Sequence, residues 1–363
     1  MSAKLKTIMA EICCMFLERE EQILAVLRAL LAGEHVLLLG PPGTAKSATI
    51  VEFMRRILGA NYFEVLLTKF SAPEEVFGPV SITKLQLDKF ERAVEGYLPW
   101  AHVGFVDEVF KANSAILNSL LTLMAERKYK LGTQNIQAPL VSLVGASNET
   151  PQDTDLGAMY DRFMVRKISD YVSPANVVNL LRPSTGANAG NTTLSLKEWE
   201  DARAAVKLVT VSDNILEEVA ALKSTMEHKG FKASDRRWRA SIKLLQACAY
   251  IDGRNAVDSD DLMVYGDVLW DDMKKAKAVQ DEVGKIVNPA LTALLEHVDA
   301  IDKLLGEFVG APAEQERINA KIKINSHKEA IGKLSGRIGV KGQAALDKIE
   351  VKMKAAVKKI MER

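Results

Sequence analysis

A chain of 363 residues and 39.9 kDa is too long for one ordinary hydrophobic core, so two or three domains are expected. Its 48% hydrophobic and 26% charged residues can fill such cores without any apolar run of the ~18 residues a membrane helix needs, and three cysteines, Cys13 and Cys14 adjacent and Cys248 far away, speak against a disulfide framework. The net charge of +1 conceals a split, because residues 312–363 carry thirteen Lys and Arg against six Asp and Glu. A basic tail on an acidic body can meet nucleic acid or an acidic partner, and a solvated helical face accounts for the same numbers.

The opening segment has charges inside its apolar stretch and no small-residue cleavage site, so no signal peptide is read and a cytoplasmic setting is expected. Ile12, Phe16, Ile23, Leu24, Leu27, Leu30 and Leu31 have helical spacing up to a stop at Gly33. Short apolar runs then follow at 35–40, 62–67, 102–108, 140–148 and 163–168, alternating with longer helical stretches such as 111–127. Such alternation predicts an α/β domain whose mostly parallel sheet is covered by helices on both faces. Segments 79–94 and 127–139 read as hairpin insertions, the second turning near Gly132, and 183–193 is a Pro, Gly, Ser and Asn-rich linker. Beyond it 214–228, 236–253 and 259–270 are helical. The expected domains are therefore a nucleotide-binding α/β unit over 1–180, a small all-α unit over 194–272 and a helical extension over 273–363.

The strongest chemical signal is the run Gly40, Pro41, Pro42, Gly43, Thr44, Ala45, Lys46, Ser47, Ala48 between an apolar strand and a helix. Small residues there let backbone N–H groups turn toward phosphate oxygens at a helix N-terminus. Lys46 would reach the β- and γ-phosphates of ATP or ADP, and the Ser47 hydroxyl would ligate Mg²⁺. Ala45 stands where the general motif has glycine. An alanine opening a helix is expected to need no unusual backbone angle. The strand at 102–108 ends in Asp107 and Glu108, the first placed to hold magnesium and the second to polarise water as a general base. The strand at 140–148 ends in Asn148, whose amide can orient that water or serve as a turn residue. Asp161, Arg162 and Arg166 follow. The five histidines are scattered without metal-ligand spacing, so no zinc site is expected.

These runs, together with FSAPEEVFGP (70–79), LGAMYDRFMVR (156–166) and SDRRWRASIKLLQA (234–247), resemble the MoxR family of AAA+ ATPases, and within it the RavA (regulatory ATPase variant) branch. The resemblance spans about residues 5–272 and does not reach the tail. It implies a P-loop AAA+ core of five strands with an all-α lid, assembled as a homo-hexameric ring. It further implies Lys46 and Ser47 as the Walker A pair, Asp107 and Glu108 as the Walker B pair, and Asn148 as sensor 1. Arg162 matches the finger that reaches a neighbouring subunit's nucleotide, with Arg166 as fallback. Arg236 matches the sensor 2 arginine that the lid lowers onto the nucleotide, with Arg237 and Arg239 as rivals. By the same resemblance the partner is a protein with a von Willebrand factor A domain, and the activity is remodelling of a protein client.

Two other readings stay open. A nucleic-acid motor is permitted by the basic tail and by Lys128 and Lys130, but 6% aromatic residues offer no stacking platform. A nucleotide-gated scaffold would have no need of Glu108.

Overall fold

The computed structural model describes residues 1–151, 156–182 and 190–290, with scattered positions between 292 and 331. Helices α1 (Ser2–Met15) and α2 (Glu20–Ala32) precede strand β1 (His35–Leu39). The apolar stripe expected as one helical segment is cut at Glu18, which takes a left-handed φ of 58°. Its carboxylate accepts from the Ser173 N–H and hydroxyl and from the Asn176 amide. That anchor overrides helical continuity. The chain continues through α3 (Lys46–Arg55), β2 (Ile57–Leu58), β3 (Tyr62–Leu66), α4 (Pro73–Phe77), α5 (Ile82–Leu85) and β4 (Val103–Asp107). Next come α6 (Ser114–Glu126), β5 (Lys128–Leu131), β6 (Gln134–Gln137), β7 (Ser142–Ser147), α7 (Gly157–Tyr160), β8 (Phe163–Ile168) and α8 (Val177–Leu181). The last described elements are β9 (Leu194–Ser195), α9 (Leu196–Val206), α10 (Asp213–His228), α11 (Asp235–Ile251) and α12 (Met273–Val287).

Five strands form one sheet in the order β3-β4-β7-β1-β8, and every neighbouring pair is parallel. The five apolar runs of the sequence supply all five strands. β1 and β7 are buried along their whole length, which is why their sequences are apolar runs and do not alternate. This is an α/β core built on a parallel sheet, followed by a helical unit. The order places the C-terminal end of β1 between those of β7 and β8, and β4 beside β7, so the loops after these strands meet at one edge of the sheet.

Of the two expected hairpins, 127–139 forms one: β5 and β6 pair antiparallel around Gly132, whose φ is 59°. Segment 79–94 does not. Only a bridge between Val80 and Arg92 closes it, and the enclosed chain makes the single turn α5, its side chains Ile82, Leu85, Leu87 and Phe90 lying in solvent. With no second strand's face to pack on, alternation there had nothing to specify. The stretch 259–270 is likewise a 3₁₀ helix over Ser259–Asp267, opened by reciprocal bonds between Asp258 and Asp261. α11 packs on α2, joining the helical unit to the core. The linker's residues 183–189, the 312–363 tail apart from isolated positions, and most of the helix expected beyond 290 lie outside the described residues.

Candidate functional site

The loop after β1 is held from both sides. Gly40 N–H donates to Ser147 O at the end of β7 at 3.0 Å, and Ser169 N–H after β8 donates to Leu39 O at 2.7 Å. Gly40 has φ 146°, and a Cβ there would lie 1.9 Å from Ser169 O, so only glycine fits. Gly43 (φ 78°) faces open space, nothing lying within 4 Å of a Cβ built on it. Behind it α3 starts at Lys46 with no side-chain N-cap, so its first backbone N–H groups are offered to an anion. A concave loop, uncapped donors and a lysine are the donor set a nucleotide phosphate requires. The residues fit the group.

Ala45 departs from expectation. Its φ of 63° and ψ of 26° are left-handed, a conformation that costs a residue with a Cβ about 1–2 kcal/mol. Here the alanine carries strain that glycine would not, and the strain lies in the loop that turns donors inward.

Lys46 is buried, and its Nζ donates to Gly40 O at 2.6 Å and Pro41 O at 2.8 Å. Burial pushes its pKa down, opposed by the negative charges of Asp107 and Glu108, which stand near it at the end of β4. Asp107 accepts from the Glu108 N–H at 2.9 Å. Glu108 has a left-handed φ of 53° and opens a 3₁₀ turn over Val109–Lys111. Both of its carboxylate oxygens are engaged: Oε1 accepts from Asn148 Nδ2 at 2.8 Å, and Oε2 pairs with Lys111 Nζ at 3.3 Å. Adjacency of β4 and β7 brings Asn148 to Glu108 across forty residues of sequence. Lys46, Asp107, Glu108 and Asn148 are thus one cluster.

Arg162 and Arg236 belong to a second. Arg162 donates to Ala158 O at 2.7 Å, while Arg236, 59% exposed, pairs with Asp161 at 3.3 Å. Ser234 also donates to Asp161, at 2.8 Å. Burial first, and then the positive charge of Arg236, lower the Arg162 pKa. The two arginines are therefore neighbours, and the bond that Arg236 makes is to the residue beside Arg162. Of the alternatives, Arg166 is fully buried and bonded to Asp271, Trp270 and Tyr160, so it cannot extend to another subunit. Arg237 is buried at 2% exposure and equally engaged, and Arg239 is exposed.

Sequence reasoning missed two members. Arg19 lies near Lys46 and braces the loop, its Nε donating to Thr44 O at 3.0 Å and its Nη2 to Asp170 O. No local signal marks it. Lys111 was findable, because the third residue after Glu108 returns to it in a turn. Among the described residues no group of three or more His, Cys, Asp or Glu side chains could hold a metal unaided.

A P-loop after the first sheet strand, an acidic pair on the next strand but one, and a helical lid define the AAA+ ATPase class, which binds nucleotide. Comparison with known proteins narrows it. Residues 3–207 match the model of the MoxR domain in the MoxR-vWA-beta-propeller ternary systems, and 214–283 match an AAA lid domain. The chain belongs to the MoxR family of AAA+ ATPases. It is 39% identical over 307 residues to an uncharacterized protein of Methanocaldococcus jannaschii, spanning 84% of this chain and 80% of the other. It is 26% identical over 160 residues to the chaperone MoxR1 of Mycobacterium tuberculosis, spanning 43% and 41% of the two chains. In fold it resembles a Cytophaga hutchinsonii protein described as an ATPase, with TM-score 0.65, 18% identity, and coverage of 79% of this chain and 95% of that one.

Proposed function

We propose that this protein hydrolyses ATP at the subunit interfaces of a homo-hexameric ring and uses the cycle to remodel or activate a protein client. Lys46 and the loop N–H groups hold the phosphates, Glu108 takes the proton of the attacking water, and Asn148 keeps that carboxylate oriented. Ser47 and Asp107 would hold Mg²⁺, whose charge would offset that building on the phosphate oxygens. Arg162 is the finger offered to the neighbouring subunit's nucleotide, and Arg236, which pairs with Asp161 beside it, is the sensor 2 arginine that the lid would lower onto the nucleotide. A finger of this kind is worth roughly 10³–10⁵ in rate in related phosphoryl transfer. An isolated subunit should therefore turn over slowly.

The observation that carries the reading is the division of charged groups into two clusters, base and phosphate lysine in one, paired arginines in the other. The name of the matching family model, which refers to vWA and beta-propeller partners, supports a von Willebrand factor A domain partner. We read the chain within the RavA branch on its sequence motifs, and assign it to the cytoplasm on its cysteine spacing, adjacent Cys13 and Cys14 with a distant Cys248, which does not make a disulfide framework. Among the described residues no helix is long and apolar enough to cross a membrane.

The test is ATPase rate against protein concentration for wild type, Arg162→Ala and Glu108→Gln, with oligomeric mass read in the same samples. Specific activity should rise with assembly and collapse in Arg162→Ala although that variant still assembles. Flat specific activity with an unaffected Arg162→Ala would overturn the shared-site mechanism, and hydrolysis by Glu108→Gln at the wild-type rate would overturn the assignment of the base.

A further inference from the structure

The finger candidate and the lid are joined by a charge network, two buried guanidiniums on one half-exposed carboxylate, that the hydrolytic reading does not use. Arg166 on β8 is fully buried, and its guanidinium donates to Asp271 Oδ1 at 2.5 Å, to Tyr160 O at 2.9 Å and to Trp270 O. The same guanidinium lies 3.8 Å from the centroid of the Tyr160 ring. Arg237 reaches the same carboxylate oxygen from α11, donating to Asp271 Oδ1 at 2.7 Å and also to Val268 O and Trp270 O. Tyr160 closes the circuit, its hydroxyl donating to Asp271 O at 2.8 Å. One aspartate therefore holds two guanidiniums, one from the α/β core and one from the lid, that would otherwise repel each other in a low-dielectric interior.

Each of those guanidiniums sits next to an arginine of the second cluster. Arg166 grips the carbonyl of Tyr160, the last residue of α7, and α7 is where Arg162 is seated, through Arg162 N–H to Met159 O at 3.0 Å and its side chain to Ala158 O. Arg237 directly follows Arg236 on α11. Any change in the position of Asp271 is thus delivered to both arginines of the second cluster at once.

We propose that Asp271 is a positioning residue that sets the spacing between Arg162 and Arg236, so that the lid and the finger move as one body. The inference rests on the reading of Arg162 as a finger. A displacement of about 1 Å at a transition-state donor costs as much as ~100-fold in rate, so the geometry of this pair is worth holding rigidly. Asp271 itself is 56% exposed on its side chain, and substituting it removes little packed volume.

The test is a double-substitution cycle on the assembled full chain, reading kcat at saturating ATP, KM, the dissociation constant for ADP, and assembly mass. Asp271→Asn keeps the shape and one acceptor oxygen and removes the charge. It should lower kcat by roughly 10–100-fold with KM and the ADP constant within about twofold, and the double variant with Arg162→Ala should be no slower than Arg162→Ala alone. A merely structural role would weaken ADP binding or assembly, or would multiply with Arg162→Ala, and either result overturns the proposal. If Asp271→Asn does not fold, Tyr160→Phe, which removes only the hydroxyl bonded to Asp271 O, decides. A loss of kcat seen in the wild-type background and absent in Arg162→Ala supports the proposal; a wild-type kcat overturns it. An Arg162→Ala variant as active as wild type would fail the finger reading itself and this inference with it, whereas an additive cycle on a slow Arg162→Ala fails this inference alone.

Discussion

Three substitutions in the phosphate loop should rank by backbone sterics alone. At Ala45 the left-handed φ of 63° costs an alanine about 1–2 kcal/mol. Ala45→Gly removes that strain but loosens the unfolded chain by roughly 0.4–1 kcal/mol. The net gain is of order 0.5–1 kcal/mol, which raises the midpoint of thermal unfolding by roughly 1–4 °C in a unit this size. Gly43→Ala meets no atom within 4 Å and suffers only its φ of 78°, so the same balance of strain against unfolded-chain entropy gives a net cost of about 0.5–1 kcal/mol. Gly40→Ala adds a collision, because its Cβ would lie 1.9 Å from a backbone oxygen that hangs between β1 and β8 and cannot rotate away. Strands must part, and the loss should exceed ~4 kcal/mol, the range reserved for such defects. The assay is thermal and urea unfolding, with binding of a fluorescent ADP analogue measured on the same samples. Ala45→Gly should be more stable with unchanged ADP affinity, Gly43→Ala modestly weaker, and Gly40→Ala unfolded or unable to bind. A destabilised Ala45→Gly, or a Gly43→Ala as damaging as Gly40→Ala, would refute the steric argument.

Lys46→Met should abolish ADP binding, since it removes the loop's ammonium and its bonds to Gly40 O and Pro41 O; isothermal titration checks it. Arg19→Met withdraws the brace on Thr44 O and should weaken ADP binding while leaving kcat at saturation unchanged, a split that steady-state kinetics reads directly. His35 is held neutral, its pKa driven well below 6.5 first by burial and then by the Arg127 guanidinium beside it. Because the folded state resists a proton that the unfolded state accepts, stability is complete above 6.5 and declines as pH falls from there toward the depressed value. Urea midpoints measured from neutral to mildly acidic pH should show the decline in wild type and a shallower one in His35→Gln; parallel slopes would count against it.

What was legible in the sequence was whatever lies within one contiguous run. The five strands were readable because strands buried on both faces must be apolar throughout, and the phosphate loop because its function requires small residues in a row. The grouping of Lys46, Asp107, Glu108 and Asn148 followed from strand ends facing one edge. Contacts across the fold were not legible. Arg19 and Glu18 act on residues more than twenty positions away through a backbone carbonyl and a backbone N–H that any sequence supplies, and Asp271 acts through its carboxylate on the distant Arg166 and Arg237. The choice among Arg236, Arg237 and Arg239 was available in part: Arg237 falls on the stripe shared with Ser241, Leu244 and Cys248, which is the buried face of α11, and Arg236 and Arg239 fall off it. A charged residue at a core position of an amphipathic helix reads as a polar outlier, and here it is the lid's half of the Asp271 network.

Glu108 can serve as a base only if one of its oxygens is available to water, and the structure shows two different bonds to exchange. The bond from Asn148 comes from a strand end in the sheet, fixed by the pairing of β4 and β7. The bond from Lys111 comes from a half-exposed side chain on a one-turn helix. An ion pair with an exposed partner is worth about 0–1 kcal/mol, so water displaces Lys111 from Oε2 at little cost while Asn148 keeps Oε1 in place. Removing Lys111 should therefore change turnover by less than about fivefold, the rate equivalent of 1 kcal/mol. Removing Asn148 lets the carboxylate swing and should lower kcat by roughly 10–100-fold. Lys111→Met and Asn148→Ala, compared at saturating ATP in the assembled state, separate the two bonds. Equal losses would mean that Lys111 stays on the carboxylate through the reaction, and that the water must approach from the side Asn148 now occupies.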